Sequence, residues 1–174
     1  LSRPDRRLIR QAFSRRRHLV REQIVDAFAR WTVLSSARSG SPIKSRAEVY
    51  STLSLLQFDH LFDRSLGPIE ETEFWVWHRT NVDSLCSLRP NVPVGWATKY
   101  INMYLKTRAY IAADGRDGLR GVIHPPIDNE LIKGLRIEFR DDRSILNGLV
   151  PFSGIKWVTT YSQYEGLIRT CELV

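Results

Sequence analysis

The chain has 174 residues, 43% hydrophobic and 10% aromatic, with a net charge of +7. That length suits one domain with a substantial core, and the composition excludes a disordered polyelectrolyte. No apolar run reaches the ~20 residues of a membrane span, no signal-peptide pattern is present, and Cys86 and Cys171 give neither a disulfide framework nor zinc-ligand spacing, so a cytoplasmic, reduced protein without cofactor, metal or membrane association is expected.

Residues 5–33 read as a long helix. Its first half is crowded with arginine: Arg3, Arg6, Arg7, Arg10, Arg15, Arg16, Arg17 and Arg21 precede Arg30, against only Asp5, Glu22 and Asp26. Six of the chain's seven net positive charges therefore lie in its first thirty residues. Arginine pairs bidentately with phosphate, so a basic arm on a near-neutral body points to nucleic acid, DNA first. A solvated face, or docking on an acidic partner protein, accounts for the same charge. The second half, from Leu19 to Leu34, has the apolar density to dock on the body. Residues 35–45 read as a linker rich in small residues, and 46–174 as the body.

Ser45 and Glu48 form a capping box that opens a helix expected to run to about Arg64. Thr72 can cap a shorter helix through Phe74-Trp75-Val76-Trp77-His78, with Phe74 and Trp77 sharing a face and Trp75 pointing away. Val82 to Leu88 adds another turn or two. The segment from Pro93 to Ala112 reads as a central helix, buried on most sides. Pro93 suits its first turn, Asn91 its cap, and Ala97, Ile101, Tyr104, Leu105 and Ala109 its apolar face. Lys99, Asn102 and Lys106 make a narrow polar stripe on it. Pro125-Pro126 forbids helix, and Asp128 stands at the N-cap of the next one. Ile137 to Phe139 alternates like a short strand. Ser144 to Leu149 reads as a helical turn, and a Thr160–Gln163 capping box opens a final helix through Cys171. The fold class expected is all-α: one domain of five to seven helices around a buried central helix, with little or no sheet.

No phosphate-cradling glycine loop, nucleophile elbow or metal-ligand cluster is present, and the four histidines fall on separate elements with no close pair. What remains is Lys99, rising from an apolar helix, and Asp128 at a helix start 29 residues later. Lys99 is either a partly solvated stem at the core edge or a desolvated amine usable as a nucleophile. Asp128 is either a cap alone or a cap that also faces Lys99.

Val94-Gly95, then Ala97-Thr98-Lys99, then Pro126-Ile127-Asp128 together resemble the helix–hairpin–helix DNA glycosylase/lyase superfamily. Its members carry a glycine-containing hairpin, a lysine near the start of the following helix, and a Pro-x-Asp segment opening the next. The likeness spans about a quarter of the chain, residues 90–136; the lysine helix and His-Pro-x-x-Asp turn are also similar to bacterial proteins of no assigned function. The resemblance implies that Lys99 attacks C1′ of a damaged nucleoside and that Asp128 activates it. It implies that the Val94 and Gly95 amides hold a phosphate. It further implies a flipped base in a pocket drawn from Trp75, Trp77, Trp96, Asn102 and His124.

Overall fold

The computed structural model describes residues 6–37, 40–149 and 151–174, with residues 6–18 described by their backbone alone. Its elements are α1 (Arg6–Ser36), α2 (Arg46–Leu53), α3 (Asp59–Phe62), α4 (Glu71–Leu88), α5 (Val94–Lys106), α6 (Leu119–Val122), α7 (Asn129–Glu138), α8 (Arg143–Leu149) and α9 (Tyr161–Glu172). Short 3₁₀ turns lie at Arg64–Leu66 and Ile155–Trp157, and a π-helical turn extends α5 over Thr107–Ile111. Seven of the helices have seven residues or more, α3 and α6 are single turns, and no strand occurs among the described residues. The chain is thus a single all-α domain.

Helix α5 is its axis. Eleven of its thirteen residues are buried, which leaves Met103 and Lys106 as its outlets. Helices α1, α4 and α9 and the 3₁₀ turn at Ile155–Trp157 pack around it. Aliphatic Ile101 and Leu105 are fully covered, and Tyr100 and Tyr104 are buried with their hydroxyls bonded to Ser41 at 2.6 Å and Asp26 at 2.6 Å. Burial pushes both phenol pKa values up. Helix α1 approaches α5 through its small and β-branched residues: Ala29 and Val33 are buried, and Thr32 Oγ1 meets Thr107 Oγ1 at 2.8 Å. Asp26 also accepts from Arg30 at 2.7 Å, and Arg108, bonded to Asp114 and to Tyr104 Oη, reaches Glu22 at 3.6 Å.

Several expected boundaries shift. The helix expected from Arg46 to Arg64 breaks after Leu53. Residue Gln57 explains the break: its amide donates to Asn81 Oδ1 at 2.9 Å, and its carbonyl accepts from Trp77 Nε1 at 2.9 Å, so α4 takes hydrogen bonds that a continuous helix would need. Helix α4 starts at Glu71 behind Glu70, not at a Thr72 cap, and runs unbroken to Leu88. Pro93 is the N-cap of α5 rather than a residue of its first turn. The strand considered at Ile137–Phe139 is the end of α7. The bulky half of the Leu19–Leu34 face does not dock: Leu19, Val20, Ile24, Phe28 and Trp31 are exposed, and the smaller residues face the body instead.

Candidate functional site

Lys99 and Asp128 meet. Lys99 Nζ lies 3.5 Å from Asp128 Oδ2, with the lysine side chain 11% exposed and the carboxylate 40% exposed. Asp128 divides its work. Oδ1 accepts from the Leu131 amide at 3.0 Å and caps α7, while Oδ2 faces the ammonium. The cap holds the carboxylate in one rotamer, so the pair is oriented by local backbone chemistry. Lys99 Nζ also sits 5.3 Å from the Trp96 ring centroid, within cation–π range.

The pair lines a cleft of about 630 Å³. Trp31, Thr32, Ser35 and Ser36 of α1 form one wall. Trp96, Lys99 and Met103 of α5 form the floor, and Asp128, Asn129, Glu130 and Ile155 form the far side. Asn129 fixes that side, since its Oδ1 accepts from the Ile155 amide at 2.8 Å. The wall from α1 was not foreseen; Trp31 reads in sequence as one more apolar residue of the stripe. The C-terminal end of α1 thus borders the Lys99–Asp128 cleft, and its arginines from Arg6 to Arg21 lie toward the other end of the helix.

The other expected site residues are distributed differently. The Gly95 amide donates to the Val158 carbonyl at 2.9 Å, and a Cβ on Gly95 would lie 2.1 Å from the Ile155 carbonyl oxygen. The start of α5 is thus roofed by the chain, which corrects the expectation of a phosphate held at Val94 and Gly95. Of the expected pocket residues, Trp96 alone lines the cleft. Trp77 packs in the core against Phe58 and Phe74. Trp75 lies against His124, with ring centroids 4.0 Å apart and planes tilted by 50°. Arg21 is on α1, and its Nη2 donates to the Ala112 carbonyl at 2.6 Å. Arg6, Arg7, Arg10, Arg15, Arg16 and Arg17 lie on the α1 backbone, and their side chains, like the whole of Arg3, fall outside the described residues.

Behind the cleft runs a buried polar chain that sequence reasoning missed. Asn102, expected on a polar stripe, is fully enclosed. The histidines, expected apart, include a close pair: the His78 and His124 ring centroids are 5.0 Å apart. The proton order follows from one anchor. The Pro125 carbonyl can only accept, and Asn102 Nδ2 lies 3.3 Å from it, so the amide nitrogen faces that side. Nδ2 then also donates to Tyr164 Oη at 2.8 Å, and Oδ1 accepts from His78 Nε2 at 3.0 Å. Tyr161 Oη donates to the remaining His78 nitrogen, Nδ1, at 2.8 Å, and Tyr164 Oη donates to His124 Nδ1 at 2.9 Å. His124 carries its proton on Nε2, a buried atom with no hydrogen-bond partner among the described residues. Burial holds both imidazoles neutral: it pushes His124 down to about 4 and, with the nearby His124 second, His78 well below the usual histidine range. It also drives the Tyr164 phenol well up. The Asn102 contact to Pro125 ties α5, the helix that carries Lys99, to the turn that carries Asp128.

No group of three or more metal-ligating side chains that could hold an ion occurs among the described residues. No helix among them is long and apolar enough to cross a membrane. No family model, curated protein or solved structure matches the chain.

Proposed function

We propose that this protein binds nucleic acid along α1 and seats one displaced nucleotide in the Lys99–Asp128 cleft, where Lys99 is the amine nucleophile of a glycosylase/lyase-type reaction. The observation that carries the reading is the pair itself: a largely buried amine 3.5 Å from a half-exposed carboxylate, in a cleft with one wall formed by the C-terminal end, Trp31 to Ser36, of the helix whose N-terminal half holds the arginines from Arg6 to Arg21. Three features agree with it. The cleft is open to solvent and large enough for a nucleotide's base. Trp31, 54% exposed, offers aromatic surface against which a base can stack, above a floor that includes the buried Trp96. Asp128 is turned toward Lys99 by its own cap, so it can accept the ammonium proton as the amine becomes nucleophilic. The neutral amine then adds to the C1′ aldehyde of an abasic sugar, and loss of water leaves an iminium.

Borohydride reduction of a mixture with abasic DNA tests this. Reduction of the iminium leaves a covalent protein–DNA adduct, which is expected in the intact protein, lost in Lys99→Ala and kept in Lys106→Ala, since Lys106 is exposed on the same helix. Absence of the adduct in the intact protein refutes the lyase. A second reading, a binding module without chemistry, rests on the arginine content of the first thirty residues. It leaves a salt-steep affinity that drops when Arg15, Arg16 and Arg17 are changed together to alanine, with no adduct formed.

A further inference from the structure

Lys99 and Asp128 stand on helices that share no broad packing face. The neighbours packed around α5 are α1, α4, α9 and the 3₁₀ turn at Ile155–Trp157, while α7 packs on α8. Asp128 Oδ1 is bonded to its own helix, so the carboxylate moves with α7, and Lys99 moves with α5. Their 3.5 Å separation is therefore fixed by whatever joins the two helix starts. The segment from Gly154 to Val158 does so. On the α5 side, the Val158 carbonyl accepts from the Gly95 amide at 2.9 Å, and the Ile155 carbonyl oxygen lies where a Cβ on Gly95 would come within 2.1 Å. On the α7 side, the Ile155 amide donates to Asn129 Oδ1 at 2.8 Å, and a Cβ on Gly154 would come within 2.7 Å of the same oxygen. The segment is closed on itself: Trp157 N–H donates to the Gly154 carbonyl at 3.0 Å and Val158 N–H to the Ile155 carbonyl at 3.2 Å. With the Ile155 and Val158 side chains buried, its two grips keep a fixed spacing.

We infer that Asn129 is a positioning residue: through the Ile155 amide it holds α7 against the start of α5, and so sets the contact between Lys99 and Asp128. The Ile155 N–H can only donate, which puts Oδ1 rather than Nδ2 of Asn129 on that side. Gly95 precedes Lys99 by about one helical turn, and Asn129 follows Asp128 directly, so the brace acts beside both members of the pair. The Asn102–Pro125 bond ties the same helix to the same turn from the other side, and at 3.3 Å it is the longer link. The contact has little tolerance, because a shift of about 1 Å at a reacting group can lower a rate about a hundredfold. The inference rests on the proposed chemistry for what the spacing serves, and on the hydrogen bonds alone for what sets it.

Zero-length cross-linking tests the brace without nucleic acid. A water-soluble carbodiimide activates the half-exposed Asp128 carboxylate, the Lys99 amine displaces the urea, and the amide forms only between groups in contact. Peptide mapping by mass spectrometry is expected to find the Lys99–Asp128 amide in the intact protein. It should be lost in Asn129→Ala, which removes the acceptor, and in Gly154→Ala, which drives a methyl onto Asn129 Oδ1. Asn129→Asp keeps an acceptor at the same reach and should keep the cross-link, with fragmentation separating attachment at position 128 from attachment at 129. Asn129 is exposed, so both of its variants should still unfold cooperatively on heating. The second readout is borohydride trapping on abasic DNA, whose rate should fall at least about tenfold in Asn129→Ala and recover in Asn129→Asp. A cross-link undiminished in Asn129→Ala, or lost equally in Asn129→Asp, overturns the inference. A cross-link that behaves as expected in an intact protein that traps no abasic DNA retires the lyase and leaves the brace standing.

Discussion

Asn102→Ala removes three hydrogen bonds at once, from the group that joins the two halves of the candidate site. His78 is fully buried, so its Nε2–H, now 3.0 Å from Asn102 Oδ1, has no water to turn to. A buried donor left without an acceptor costs about 1–3 kcal/mol. Tyr164 Oη keeps His124 Nδ1 as a partner and loses only the bond it accepts at 2.8 Å. The Pro125 carbonyl, at 3.3 Å, is only partly buried and can turn to water, so its loss is the smallest. With the small void left behind, the sum is about 3–5 kcal/mol, a large part of the roughly 5–15 kcal/mol that holds a domain together. Urea unfolding followed by circular dichroism measures it as a lower midpoint at unchanged slope. A double-mutant cycle with His78→Phe isolates the bond. Because the alanine's cost is mostly the orphaned imidazole, the double variant should be less destabilised than the sum of the singles by about 1–2 kcal/mol. A loss under about 1 kcal/mol, or strict additivity of the pair, would refute the hydrogen-bonded chain deduced from the Pro125 anchor.

The two buried imidazoles also set a pH dependence. His124 is held down to about 4, and His78 lies well below the usual range, while in the unfolded chain both take up protons near pH 6.5. The unfolded state therefore binds more protons as pH falls. Stability is whole above about pH 6.5 and drops below it by up to about 1.4 kcal/mol per pH unit for each histidine. His124→Gln should remove one proton's share of that slope in urea midpoints measured toward pH 4, and a flat profile in the intact protein would contradict burial of both rings. The glycines differ in sign. Gly95→Ala drives a methyl into the Ile155 carbonyl oxygen at 2.1 Å and should cost about 3 kcal/mol or more. Gly166→Ala, on the exposed side of α9 with open space around it, should stabilise by about 0.5–1 kcal/mol. Thermal midpoints of the two variants check both, and a harmless Gly95→Ala would mean that the 3₁₀ turn does not roof α5.

What was legible in the sequence was local. The capping boxes at Ser45–Glu48 and Thr160–Gln163 form as read, because their partners lie three residues apart and need nothing from the rest of the fold. Asp128 caps α7 for the same reason, and Pro125-Pro126 keeps the residues before it extended. The buried character of α5 follows from apolar residues spread nearly all round it. What was not legible depends on partners distant in sequence. The break after Leu53 is made by Trp77 and Asn81, more than one element away. His78 and His124 come together because Asn102 and the tyrosines of α9 supply complementary donors and acceptors, a match with no sequence period. Helix α1 shows the limit most sharply. Both of its sides are apolar, so periodicity finds the stripes without saying which one docks. Close approach to α5 selects Ala29 and Val33, whose small or compact side chains let the helices meet, and that choice rotates Ile24, Phe28 and Trp31 outward. A helix with its bulkiest apolar residues facing away from its own body has packed only half of its apolar surface.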